Sequence, residues 1–141
     1  SQTTAIGGNA SANGYSATAF GFTAEANGKQ SAAFGSGAKA EADFTTALGP
    51  ASCAAGTSST AVGYFAKGIA NYSTAVGYDA NASGNYASAT GYESTATGKS
   101  SIAIGAKTSA GVQGNALPIG PGKNSGAIKN DITTRLSVIN V

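Results

Sequence analysis

The sequence predicts an all-β fold, a parallel β-roll solenoid of stacked 14-residue coils. Three observations predict it. A five-residue phrase ending in glycine recurs eight times with no insertion or deletion: Thr3–Gly7, Ala17–Gly21, Ser31–Gly35, Thr45–Gly49, Ser59–Gly63, Ser73–Gly77, Ala87–Gly91 and Ser101–Gly105. A fixed period without slippage means one structural unit stacked on itself. Small residues recur at alternate positions, as one face of a strand requires. The charged residues before residue 111 keep to the other alternation.

Let the first residue of each phrase be slot 1. Slot 8 then holds Ala10, Ala24, Ala38, Ser52, Ala66, Ala80, Ser94 and Thr108, and slot 10 is alanine except at Gly68. Slot 12 is glycine or alanine up to Gly98. Slots 8 to 12 are therefore expected to form a strand with one small face. Glu25, Lys29, Lys39, Glu41, Asp43, Lys67, Asp79, Glu93, Lys99 and Lys107 all fall in slots 7, 9, 11 and 13. An unpaired buried charge is costly. Those slots should face water, and the small face should line the inside.

Slot 5 is glycine in every copy: Gly7, Gly21, Gly35, Gly49, Gly63, Gly77, Gly91 and Gly105. Glycine takes up positive φ at no steric cost, which suits a tight corner. Slots 13 and 14 are expected to make the second corner. Each coil is then two short strands and two turns, rising about 4.8 Å, and eight coils give a rod on the order of 40 Å long.

Slot 3 is alanine in all eight copies, while slot 4 holds Ile6, Phe20, Phe34, Leu48, Val62, Val76, Thr90 and Ile104. Neighbouring strand positions point opposite ways. If the slot 3 alanines join a lumen of methyl-sized groups, the slot 4 column points out of the roll. The alternative is a wider roll with slot 4 inside. A column of seven large apolar side chains on the surface would be unusual for a monomer. Burying it against partner chains would contribute at most about 10–20 kcal/mol per chain. A rotationally symmetric bundle would bury it on every protomer at once.

Composition excludes several classes. The 141 residues amount to at most one ordinary domain, and 21 glycines leave little for a conventional core. Net charge is only +2, with 10% charged residues, which argues against a nucleic-acid surface. Histidine is absent, and the single cysteine, Cys53, has no internal disulfide partner. No apolar run reaches membrane-span length and no basic-then-apolar leader opens the chain, so a signal or anchor is expected to lie outside it or to have been removed. No phosphate loop, dinucleotide fingerprint or calcium-binding nonapeptide appears. The expectation is no enzyme, no catalytic residue, no metal site and no cofactor.

Four features carry candidate chemistry. Cys53 occupies outward slot 9, with no cationic neighbour evident to activate it. Asp79 and Glu93 share slot 7 of adjacent coils, about 5 Å apart, either as a weak cation site or as solvated charges. Tyr64, Tyr78 and Tyr92 share slot 6, and Tyr72 and Tyr86 share slot 14. Such columns either stabilise the solenoid by stacking or form a binding stripe. Thr4, Thr18, Thr46, Thr60 and Thr74 form a slot 2 ladder beside the apolar column, a pattern that a monomeric ice-binding solenoid could also use. The sequons at Asn9, Asn71 and Asn81 match what chance supplies in so Asn- and Ser-rich a chain.

The phrases Ser59-Thr-Ala-Val-Gly63, Ser73-Thr-Ala-Val-Gly77 and Ser101-Ile-Ala-Ile-Gly105, with Ala66 and Gly68 between, resemble the head repeats of YadA-like trimeric autotransporter adhesins. The resemblance covers residues 1–110 and implies a left-handed roll, three of which pack about one axis. It implies an extracellular module on the bacterial surface, mediating attachment to cells, matrix or surfaces. On this reading Ile6, Phe20, Phe34, Leu48, Val62, Val76 and Ile104 form the oligomer interface. Family heads usually lead into a neck and stalk. Residues 111–141 show no such neck, and similar repeats occur in phage fibres. A self-assembling extracellular filament or phage fibre subunit is therefore the alternative.

The period breaks at Gly111, and residues 111–131, with Pro118 and Pro121, are expected to be a linker. Residues 132–141 are β-branched-rich and are expected to form a strand through Ile132, Leu136 and Val138, either capping the last coil or added to a neighbouring subunit.

Overall fold

The structure is a computed structural model and describes residues 2–111. Each coil contributes a three-residue strand from slots 2–4 and a two-residue strand from slots 9–10. The first set, from Thr4–Ile6 to Ile102–Ile104, forms one eight-stranded parallel sheet. The second, from Ser11–Ala12 to Ser109–Ala110, forms the other. Every strand pairs with the equivalent strand one coil away, so residue i faces residue i+14: Ala61 lies beside Ala75, and Val62 beside Val76. The result is an eight-coil β-solenoid.

Backbone hydrogen bonding continues around the corners. Thr60 N–H donates to Ser73 O at 2.9 Å and Cys53 N–H to Ala66 O at 2.8 Å. At the corners Gly63 N–H donates to Leu48 O at 2.8 Å and Tyr72 N–H to Thr57 O at 2.9 Å. Turns as well as strands therefore satisfy their polar groups against the next coil.

The core is a column of methyl groups. Nineteen alanines are buried, and the largest fully buried side chains are Thr45 and Thr108. Slots 3, 8 and 10 supply most of it. Slot 1 also points inward, with Ser31, Thr45, Ser59, Ser73 and Ser101 buried. Its signal was available: slot 1 is always small, never charged, and two residues from slot 3. Two of these hydroxyls bond back to the turn, whereas the Oγ atoms of Ser59, Ser73 and Ser101 are buried without a hydrogen-bond partner. Ser31 Oγ donates to Gly28 O at 2.6 Å, and Thr45 Oγ1 to Ala42 O at 2.7 Å.

The second strand is shorter than expected, and slot 12 belongs to the corner. A Cβ added at Gly28 would lie 1.8 Å from Ala42 O, and one at Gly56 would lie 2.1 Å from Ala70 O. The chain turns inward there, too close to the next coil to extend a strand.

Both corners contain a residue in the left-handed region. Slots 7 and 14 have φ between 47° and 61° at fourteen non-glycine residues, and Gly37 takes 67°. Among these fourteen, Thr23 at φ 52° is the only β-branched residue. Branching at Cβ makes this conformation costly, whereas asparagine adopts it readily. Thr23→Asn is expected to stabilise the protein by about 1 kcal/mol, read as a higher thermal unfolding midpoint.

Candidate functional site

The two sheets share one lumen but present different chemistry to the outside. The first exposes slots 2 and 4. Phe20 is 52% exposed, Leu48 47% and Phe34 37%, and Val62 and Val76 are half-buried. Slots 1 to 6 contain no charged residue in any coil. The second sheet carries Glu25, Lys39 and Lys67 on its strands, with Glu25 and Lys39 in contact at 3.8 Å. The first face can leave water without desolvating any charge, and the second cannot.

Corner residues form columns because stacking in register places equivalent slots one coil apart. Tyr64 and Tyr78 stack at 5.5 Å between ring centroids, and Tyr78 and Tyr92 at 5.2 Å. Phe65 meets the Tyr64 ring edge-on at 4.5 Å. At the other corner Tyr72 and Tyr86 lie parallel at 5.0 Å. Each such pair adds about 0.5–1.5 kcal/mol beyond area burial. All five tyrosines remain exposed, so stacking and accessibility coexist.

Asp79 and Glu93 do not converge on a shared point. Asp79 Oδ1 lies 3.1 Å from Lys67 Nζ, and Glu93 Oε2 lies 3.8 Å from Lys107 Nζ. Among the described residues no group of three or more His, Cys, Asp or Glu is placed to hold a metal ion. The Glu93 carboxylate holds the Tyr92 phenol above its usual range, by hydrogen bond and by charge.

Cys53 corrects one expectation. It has cationic neighbours after all, since Lys39 and Lys67 pair beside it in the second sheet, fourteen residues away in either direction. They do not activate it. Partial burial and the Glu41 charge push the thiol pKa up, and outweigh the two lysines.

Two slot 13 side chains are absorbed by the backbone. Asn71 Oδ1 accepts from Thr57 N–H at 2.9 Å, and Asp43 Oδ1 from Lys29 N–H at 2.8 Å. The sequon at Asn71 also has its Ser73 hydroxyl in the lumen. The linker from residue 112 and the expected strand with Ile132, Leu136 and Val138 lie outside the described residues.

The repeat geometry agrees with a comparison of the sequence with protein families. The model of the YadA head domain repeat, which spans two copies of the repeat, matches residues 1–24, 26–52, 54–80, 69–94 and 82–108. The chain belongs to the YadA head repeat family. Each match covers about two coils of the YadA-type roll, in register with the glycine period. YadA-like heads are structural components of bacterial surface adhesins and form homotrimers. No curated protein matches this chain. No helix among the described residues of this YadA-type head is long and apolar enough to cross a membrane.

Proposed function

We propose that this chain is the non-enzymatic head of a trimeric surface adhesin, with three rolls packing their charge-free sheets around a common axis. The slot 4 column supports this reading: Ile6, Phe20, Phe34, Leu48 and Ile104 are exposed and Val62 and Val76 half-buried in the single chain, with no charge among them. Threefold symmetry brings equivalent coils to the same level, so Phe20 and Phe34 meet their own copies. The corner glycines hold each coil in the register this needs. The charged wall in slots 7, 9, 11 and 13 then faces outward, where it attaches the bacterium to cells, matrix or other surfaces.

Light scattering is expected to give a mass three times the 13.5 kDa of one chain. Val62→Lys with Val76→Lys places two ammonium groups per chain on the axis and is expected to yield a folded monomer. A monomeric wild-type chain would overturn the trimer, and long filaments in negative stain would favour the fibre. A folded trimer that binds none of several cell and matrix preparations would overturn the attachment role.

A further inference from the structure

The corner after the first sheet carries more than stacked rings. From the fifth coil on, slots 6 and 7 read Tyr64-Phe65, Tyr78-Asp79, Tyr92-Glu93 and Ala106-Lys107. Slot 7 is left-handed throughout, with φ 57° at Phe65, 47° at Asp79, 51° at Glu93 and 57° at Lys107. A column of phenols therefore runs along the roll beside carboxylates, and both are partly open to water. The rings stack on one another along the column, and each tyrosine stays about half exposed. The outer face of Tyr92 is met by the chain's own cation. Lys107 Nζ lies 5.9 Å from the Tyr92 ring centroid and 3.8 Å from Glu93 Oε2. Lys67 Nζ reaches Asp79 in the same stripe at 3.1 Å.

We propose that the Tyr64–Tyr78–Tyr92 column, with Asp79 and Glu93, binds an extended Lys- or Arg-rich peptide segment of the attachment partner. The inference rests on the attachment reading and names the partner's chemistry. The two internal lysines sit where foreign cations would sit. Both ion pairs are about half exposed, and such pairs are weak enough to exchange. Arginine suits the stripe best, because a planar guanidinium both pairs with a carboxylate and lies against an aromatic ring. The net charge of +2 does not attract a basic peptide to the molecule as a whole, so any binding must be local.

The test is fluorescence anisotropy of a labelled hexa-arginine peptide with the full chain. Tyr78→Ser, Tyr92→Ser and Glu93→Gln are each expected to weaken binding about two- to fivefold. Slot 6 already holds Ser36, Pro50 and Ala106 in other coils, so the serine variants should fold, as circular dichroism would verify. Glu41→Gln makes the same charge change on the second sheet's side and should have little effect. Lys107→Gln vacates the internal cation and should tighten binding more than Lys99→Gln, which changes charge equally at the opposite corner. The assignment is overturned if Glu41→Gln weakens binding as much as Glu93→Gln, or if Lys107→Gln and Lys99→Gln behave alike. Surface attachment that persists undiminished in Tyr78→Ser/Tyr92→Ser overturns this assignment while leaving the attachment role intact. A wild-type trimer that attaches to nothing removes both.

Discussion

Gly63→Ala is expected to break the roll at its middle coil. Gly63 has φ 126°, a region only glycine occupies freely. An added Cβ would lie 2.6 Å from Gly77 O and 2.8 Å from Gly77 C, both backbone atoms. Neither coil can yield easily, because Gly63 N–H donates to Leu48 O and Gly77 N–H to Val62 O, both at 2.8 Å. Strain and overpacking together should cost about 2–6 kcal/mol, a large part of a typical domain's stability. In a solenoid each coil is held by its neighbours, so the defect divides the stack. Thermal unfolding followed by circular dichroism should show a large drop in midpoint or a second transition. Gly28→Ala should be much milder, although its added Cβ clashes even more closely on paper. Ala42 and Ala70 fill the same slot with a corner path that leaves them half-exposed, where Gly28 and Gly56 are buried. An equal loss in both variants would show that slot 5 is not special.

The second large effect contrasts two adjacent residues. Ala61→Leu is expected to prevent correct folding, and Val62→Leu to leave it unchanged. Ala61 is fully buried between Ala47 and Ala75 of the neighbouring coils. Across the lumen, even a Cβ on Gly68 would come within 2.9 Å of Thr60 O and 3.3 Å of Ser59 Cβ. Three extra carbons have nowhere to go, at a cost of about 3 kcal/mol or more. Val62 points the other way, and Leu48 already fills its slot one coil earlier. Its change should stay within about 0.5 kcal/mol for the isolated chain. Denaturant unfolding of both variants decides it. A stable Ala61→Leu beside a damaged Val62→Leu would reverse inside and outside.

Much of this was legible because the repeat supplies its own controls. One alanine at slot 3 says little, but eight of them beside eight residues that vary from threonine to phenylalanine set the two sides of that strand apart, and the structure puts the alanines in the lumen. The charges worked likewise, since ten placements without an exception mark the wet side. Other features were hidden for physical reasons. Slots 7 and 14 hold Phe44, Phe65, Tyr72, Glu93 and Lys107, none with a preference for the left-handed region. Their conformation is imposed by the hydrogen bonds and geometry of the coil, and no local residue preference reports it. The lysines beside Cys53 were legible in the register, since Lys39 and Lys67 share slot 9 with it one coil away on either side, but the burial and the Glu41 charge that outweigh them were not.

The sequence by itself determined the period, the wet and the small faces of the second strand and the sites of the glycine corners, because each is a local demand repeated eight times. Only the tertiary structure decided how far the second strand extends, which corner residues bend left-handed and which lysine meets which carboxylate. Those depend on the distance between one coil and the next, and that distance exists only once the chain has wound upon itself.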